Sequence, residues 1–302
     1  MILVVGLSSA WQRTLSFNRF LPGEVNRTSL VLETASGKGV NVARVATLLG
    51  EPACVLTLAG GHRGTLFRKA LSDDGVKAKI IPMSGETRMC HTLISGKRVT
   101  EIVEESPALS PAEVEATRAA FSKLLRCASM VILSGTVPRG CGDGYFAQLA
   151  KEAGKKGVSV IADTQGNHLI QVARERPSLI KINRAELVAA TGSSSVTEGV
   201  SMLMKLGAKQ VVISNGSKAS MAFDGRTHWL ARPPRIEPVN PIGSGDAMLA
   251  GLAVGLFRGQ TLESALELGL ACGAANALTA TSGVIKVSDV SNLMHCVKMT
   301  CP

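Results

Sequence analysis

The stretch Pro241-Ile242-Gly243-Ser244-Gly245-Asp246-Ala247 holds residue types that could move a phosphoryl group. Two glycines flank a serine, a carboxylate follows at once, and an apolar helical pattern continues from Ala247 to Phe257. Glycine permits a tight turn and removes side chains that would block close approach. The first N–H groups of a helix lack internal partners and lie at the positive end of its dipole. Converging N–H groups of Ser244, Gly245 and Asp246 would bind an anion, and Asp246, ionised in the first turn, could accept a proton. An anion nest beside a general base is what phosphoryl transfer to a hydroxyl requires. The same letters also describe an Asp at a helix start after a Gly-rich loop, so this motif alone leaves both readings open.

A second glycine-flanked helix start, Ala35-Ser36-Gly37-Lys38-Gly39-Val40-Asn41, presents a cation and an amide. It opens a helix through Val42, Val45, Leu48 and Leu49 that Gly50 closes. It is not a P-loop. The residue after Lys38 is Gly instead of Ser or Thr, and Leu32 stands where the loop's first glycine would be. A plain Gly-rich helix entry is the competing reading.

These residues need strands and helices to hold them. Apolar runs at 2–7, 53–58, 76–81, 130–133, 158–162, 179–181 and 210–213 read as strands. Helical patterns at 65–72, 112–125 and 143–155, and one opened by Asn183 to Glu186, alternate with them. A hairpin is expected at 219–223 and 227–231, turning at Asp224-Gly225, with two final helices after the Gly243–Asp246 loop. Several strands end in small, polar or acidic residues, such as Ser134-Gly135-Thr136, Asp163-Thr164 and Ser214-Asn215-Gly216. Ligands gather at such ends in open parallel sheets. Residues 8–14 read as a polar loop of this kind. Extended insertions at 13–35 and 86–104 interrupt the alternation and could pair as a small sheet over the site, a lid, or could be ordinary edge strands. The fold class is therefore α/β, with one domain over residues 1–302.

Composition narrows the classes of function. Of 302 residues, 45% are hydrophobic and 19% charged, a globular balance that excludes disorder. A net charge of +10 admits nucleic acid, an anionic surface or phosphorylated small molecules as partners. The Lys and Arg residues are dispersed and aromatics are only 3%, which disfavours nucleic-acid binding. The seven cysteines are odd in number with no C-x-x-C pair, which fits reduced thiols in a cytoplasmic protein better than disulfides or zinc. No secretory leader is evident at the N-terminus. The longest uncharged run, residues 268–285, is rich in Gly and Ala, so a helix packed closely on a neighbour is expected instead of a membrane span.

Order and spacing add a resemblance. Its signs are Pro22-Gly23-Glu24-Val25-Asn26-Arg27, the run Gly37-Lys38-Gly39-Val40-Asn41-Val42-Ala43-Arg44, Thr87-Arg88, Ser134-Gly135-Thr136-Val137-Pro138, and Asn183 with Glu186. With the Gly243–Asp246 loop, the chain resembles the ribokinase-like (PfkB) carbohydrate kinases over essentially its whole length. The nearest likeness is to the 1-phosphofructokinase and tagatose-6-phosphate kinase branch. The resemblance implies a three-layer sandwich with a central, mostly parallel sheet, helices on both faces and a small β-sheet lid. It implies transfer of the γ-phosphoryl of ATP to a hydroxyl of a phosphorylated ketohexose, with kinases of free sugars or nucleosides, or a non-catalytic sugar-phosphate regulator, as alternatives. Asp246 would be the base, and the amides of Gly243, Ser244 and Gly245 would hold the transferring group. Gln12, Gly37, Lys38 and Asn41 would meet the sugar. Arg88 and Arg27 would grip its phosphate, since guanidinium forks suit phosphate oxygens. Lys181, Asn183, Ser214 and Gly216 would line the nucleotide site. Asn183 and Glu186 would organise Mg²⁺ through water, with K⁺ an optional further ion. A homodimer through the lid is implied, and neither nucleic acid nor membrane as a partner.

The chain departs from that branch at Ser8-Ser9-Ala10-Trp11-Gln12, where Asn-Pro-x-x-Asp is usual, so Gln12 replaces a carboxylate. Ser36 replaces a glycine, Ile182 a proline, and Ser244 an alanine.

Overall fold

The computed structural model describes residues 1–301. The chain enters through β1 (Ile2–Val5), leaves it for β2 (Ala10–Phe17) and β3 (Leu30–Ser36), and returns through α1 (Lys38–Leu48) to β4 (Ala53–Ala59). Then come α2 (Gly61–Asp73), β5 (Ala78–Pro82) and a hairpin of β6 (Arg88–Ser95) and β7 (Arg98–Val103). Alternation resumes with α3 (Pro111–Leu124), β8 (Met130–Ser134), α4 (Tyr145–Lys155), β9 (Ser159–Asp163), α5 (Gly166–Arg174) and β10 (Leu179–Asn183). Helices α6 (Arg184–Thr191) and α7 (Val196–Leu206) precede β11 (Val211–Ser214) and the hairpin β12 (Ser220–Phe223) and β13 (His228–Arg232). The described chain closes with α8 (Ser244–Phe257), α9 (Leu262–Ala277), α10 (Val287–Met294) and β14 (Lys298–Thr300).

The main sheet has ten strands in the order β14-β13-β12-β11-β10-β9-β8-β1-β4-β5. From β11 to β5 every neighbouring pair is parallel, and β12 to β14 add an antiparallel edge. The chain winds outward from β1 in both directions. The loops after β1 and β8 therefore part at a switch point, which opens a crevice at the C-terminal ends of the strands.

Alternate residues of each central strand face opposite layers. Ile2 and Val4 pack with Val42, Ala247, Leu249 and Leu266 in one core, while Leu3 and Val5 pack with Phe121, Phe146 and Leu149 in another. A third core, around Ile180, Ile182 and Leu203, lies under α5 to α7. Strands buried on both faces read as continuous apolar runs, which is why they were visible in the sequence. Helix α8 is buried from Asp246 to Gly255. It packs closely on α9: a Cβ at Gly251 would come within 2.8 Å of Gly269 Cα. The uncharged run at 268–285 is helical only as far as Ala277, and no helix among the described residues is long and apolar enough to cross a membrane.

The second sheet has the order β3-β2-β6-β7, with β2 and β6 parallel. It draws its strands from both extended segments that interrupt the α/β alternation. Residues 8–14 are not a loop throughout: β2 begins at Ala10, so Trp11 and Gln12 lie in a strand. That strand's ladder partner β6 starts 78 residues later at Arg88, and a pairing so distant leaves no local pattern. Helices α5 and α7 and strand β14 also go beyond the sequence reading, and three helices instead of two follow the Gly243–Asp246 loop.

Candidate functional site

Helix α8 starts at the sheet's C-terminal edge because Gly243 takes a left-handed conformation (φ 84) as its N-cap. A Cβ there would lie 2.7 Å from Ser282 Cβ, so only glycine fits both the turn and the contact. Two buried asparagines brace the loop. Asn276 Nδ2 donates to Ile242 O at 2.9 Å while its Oδ1 accepts from Gly283 N at 2.7 Å. Asn240 Oδ1 accepts from Ile242 N at 3.0 Å, and its Nδ2 donates to Ala280 O at 2.9 Å. Neither was legible as a site residue; for Asn276 the available signal was an amide inside an otherwise apolar run.

The nest differs from its expected composition. The Ser244 N–H donates to Pro241 O at 3.1 Å and is therefore spent on its own turn. The N–H groups of Gly243, Gly245 and Asp246 have no partner among the described residues. The N–H groups left free at this helix start are therefore those of Gly243, Gly245 and Asp246, and not that of Ser244.

Asp246 is buried, and its Oδ2 accepts from Asn41 Nδ2 at 2.8 Å. Burial pushes its carboxyl up to about 6, opposed by the Lys38 charge and the Asn41 hydrogen bond. Asn41 is fixed in turn: its Oδ1 accepts from Ser36 Oγ at 3.3 Å and from Arg44 Nη1 at 3.4 Å. Arg44, also buried, anchors on Asp74 through Nε and Nη2, each 2.9 Å from Oδ2. Asn41, expected from the sequence at the sugar, also pairs with Asp246.

Lys38 begins α1, where Gly39 lies against Gly6: a Cβ on Gly39 would be 2.5 Å from Gly6 Cα. Gly37 fits a similarly tight place, since a Cβ would meet Ser8 O at 2.7 Å. The Lys38 ammonium lies 3.6 Å from Asp163 Oδ1 and 3.9 Å from Glu186 Oε1. Asp163 is the main reason its pKa is held above the ordinary value. Asp163 ends β9, fully enclosed, and its Oδ2 accepts from the buried Lys181 Nζ at 2.6 Å. Burial alone would raise the Asp163 carboxyl, but the Lys181 and Lys38 charges together hold it below its usual range. Lys181 Nζ also lies 3.2 Å from where a Cβ on Gly245 would be, so this ammonium borders the amide nest. Asp163 was legible only as a polar strand end; its ion pairs reach Lys181 on the next strand and Lys38 at the start of α1, contacts that no local pattern carries.

Asn183 and Glu186 form a reciprocal cap at the start of α6. Asn183 Oδ1 accepts from Glu186 N at 2.9 Å, and Glu186 Oε2 accepts from Asn183 N at 3.2 Å. Ser214 is the register partner of Asn183 on the neighbouring strand, and Gly216 turns the chain just beyond it. Both lie on the same sheet edge as Asp163.

On the other side of Lys38 is a cavity of about 110 Å³ lined by Gly6, Ser8, Lys38, Gly39, Arg88, Ser134, Gly135 and Thr136. The Ser134 hydroxyl is buried there without a partner among the described residues. Arg88 reaches this cavity with three of its donors already used: Nε to Ser9 O at 3.3 Å, Nη2 to Ser8 O at 3.2 Å and Nη1 to Glu104 O at 3.1 Å. Gln12 is buried on β2, where its Nε2 donates to Thr92 Oγ1 at 2.8 Å. Arg27 is not brought to this cluster. It is exposed in the segment between β2 and β3, whose turn Asn26 pins through Leu21 and Glu24.

The family model for "pfkB family carbohydrate kinase" matches residues 1–286. Among solved structures, a possible 1-phosphofructokinase from Thermotoga maritima superposes with a TM-score of 0.91 at 21% identity, covering 100% of this chain and 99% of that one. Phosphofructokinase-2 from Escherichia coli, in complex with substrates and products, gives a TM-score of 0.89 at 23% identity, over 97% and 98% of the two chains. Ribokinase from Arabidopsis thaliana, complexed with ribose and ATP, gives 0.74 at 24% identity, again over 97% and 98%.

Proposed function

The chain belongs to the pfkB carbohydrate kinase family, and from that premise we propose that it phosphorylates a hydroxyl of a phosphorylated ketohexose, of the fructose-1-phosphate or tagatose-6-phosphate type, using ATP. That it is a sugar kinase, a phosphotransferase with an alcohol acceptor, follows from the family; the sugar phosphate and the role of each residue are the proposal. The observation that carries it is Asp246, enclosed, fixed by Asn41, and set beside three unpartnered amides with Lys181 at their border.

In this reading the sugar hydroxyl donates to Asp246, which takes its proton as the oxygen attacks the γ-phosphorus of ATP and the bond from that phosphorus to the bridging oxygen breaks, leaving ADP. The Gly243, Gly245 and Asp246 amides and Lys181 hold the charge of the migrating phosphoryl. Lys38 and the Ser8, Ser134 and Thr136 hydroxyls surround the substrate in the small cavity, with Arg88 toward its phosphate. Asn183, Ser214 and Gly216 edge the nucleotide.

Among the described residues no group of three His, Cys, Asp or Glu could hold a metal ion directly. Glu186 nonetheless leaves Oε1 outside its cap and half-buried, a hard oxygen that suits an ion keeping most of its own waters and bound chiefly to phosphates. Mg²⁺ fits there through water beside Asn183, where it would neutralise nucleotide phosphate charge.

The second sheet would act as a lid. Its outer strands expose Leu30, Leu32, Ile102 and Val103, apolar surface that suits a homodimer through this face.

Phosphosugars and free sugars should be screened with ATP, with ADP release and product mass both read. Turnover of a ketohexose phosphate is the expected result. Turnover confined to free sugars or nucleosides overturns the substrate, a reading that the three spent donors of Arg88 favour. ATP binding with no transfer across the panel would make the protein a regulator.

A further inference from the structure

A cavity of about 580 Å³ lies away from the site described above, at the opposite end of the main sheet. It opens where β9 and β10 begin and where α4 and α5 end, and its lining includes Ser159, Val160 and Ser178. Four cations converge on it: Lys151 and Lys155 from α4, Arg176 from the turn after α5, and Lys209 from the turn before β11. Glu175 is the one carboxylate in the lining, and none of the four cations makes an ion pair among the described residues.

Two further features separate this place from an ordinary basic surface. Its lining holds a hydroxyl pair, Ser159 Oγ donating to Ser178 Oγ at 2.9 Å, which adds polar groups to the charges. Arg176 is also the one non-glycine described residue with positive φ (55), and its stem packs on Gly207, where a Cβ would come within 3.1 Å of Arg176 Cγ. A non-glycine residue is held in that region only where its surroundings fix it. Cations in the last turn of α4 do complement a helix dipole, which accounts for Lys155, but that effect fades within a turn and leaves Arg176 and Lys209 unexplained.

We propose that this cavity binds a small polyanion bearing two or more phosphate groups. The volume falls in the range of small-molecule sites, and three uncompensated positive charges call for a ligand of matching charge. A concave site with dispersed cations and no aromatic lining suits a compact phosphorylated molecule more than a nucleic-acid strand, which needs a tracking groove and stacking surfaces. The assignment does not depend on the substrate proposed above.

Inorganic tripolyphosphate is the probe, titrated calorimetrically into the full chain at low ionic strength, with hydrogen exchange locating it. Three proteins are compared: wild type, Lys155→Ala/Lys209→Ala, and Lys38→Ala/Arg88→Ala, which strips the catalytic edge. The expected result is protection of the peptides around 154–159 and 174–178, an affinity for that site at least tenfold weaker in Lys155→Ala/Lys209→Ala, and no such loss in Lys38→Ala/Arg88→Ala. Arg176→Gly removes a cation while relieving the left-handed strain, so it should fold normally and also weaken binding. Protection confined to the catalytic edge, or equal affinity in wild type and the Lys155/Lys209 variant, overturns the site. So does retention of duplex DNA or anionic vesicles there that tripolyphosphate cannot displace.

Discussion

Replacing Asn41 by alanine should move the pH dependence of catalysis by an amount the geometry sets. As the proposed base, Asp246 works only when ionised, so activity should fall as pH drops through its folded pKa of about 6. The Asn41 amide donates to that carboxylate at 2.8 Å in a buried place. A hydrogen bond to a charged group is worth about 1.5–3 kcal/mol, and one pH unit corresponds to about 1.4 kcal/mol. Its loss favours the neutral acid and should raise the acid limb by about 1–2 units. At pH 7 the ionised fraction would drop from about nine-tenths to between about a half and a tenth, so kcat/KM should fall about 2–10-fold. Most of that loss should return near pH 9. The measurement is kcat/KM from pH 5 to 9.5, with thermal unfolding to show that the variant folds. An acid limb that stays at the wild-type position, or a loss equal at every pH, would refute the claim that Asn41 tunes Asp246.

The same carboxyl links activity to stability. Its folded pKa lies above the unfolded value, so it favours folding at low pH, and that contribution is lost as pH rises from about 3.8 to about 6. Asp246→Asn is therefore expected to be more stable than wild type at pH 8, by about 3 kcal/mol at most, and to unfold at a higher temperature while losing nearly all activity; an unchanged or lower Tm counts against a strained carboxylate. Arg44→Met should cost about 1–3 kcal/mol in denaturant unfolding, because it leaves the buried Ala35 carbonyl without its donor while the exposed Asp74 carboxylate is met by water, and should raise the acid limb by less than Asn41→Ala does. Gly39→Ala would drive a methyl into the Gly6 backbone, so a loss of about 1–3 kcal/mol and reduced turnover are expected from the displaced start of α1. A Gly39→Ala protein as stable and active as wild type would show that the contact can give way.

Much of this molecule could be read locally. The central strands are buried on both faces, so they appear as apolar runs. Pro111 in the first turn after Ser110 announces α3, and the structure adds a capping box there between Ser110 and Glu113. The Gly37–Asn41 and Gly243–Asp246 stretches announced themselves as helix starts for the same reason: glycine and first-turn chemistry are properties of a few consecutive residues. Short helices were harder. Helix α5 has nine residues, near the limit at which a helix gains anything from its own hydrogen bonds, and Leu169, Val172 and Ala173 hold it by packing.

The residue types and their order were enough to place a carboxylate, a glycine-rich helix start and a cation at one edge of a parallel sheet, because each is set by local backbone geometry. Only the fold decided which partners they meet: that Asn41 holds Asp246 across 205 positions of chain, that Lys38 and Lys181 share Asp163, that Pro241 takes the Ser244 amide, and that Arg27 stays outside. Burial and charge pairing depend on groups brought together through space, and these set the Asp246 carboxyl near neutrality, a value that no stretch of sequence carries by itself.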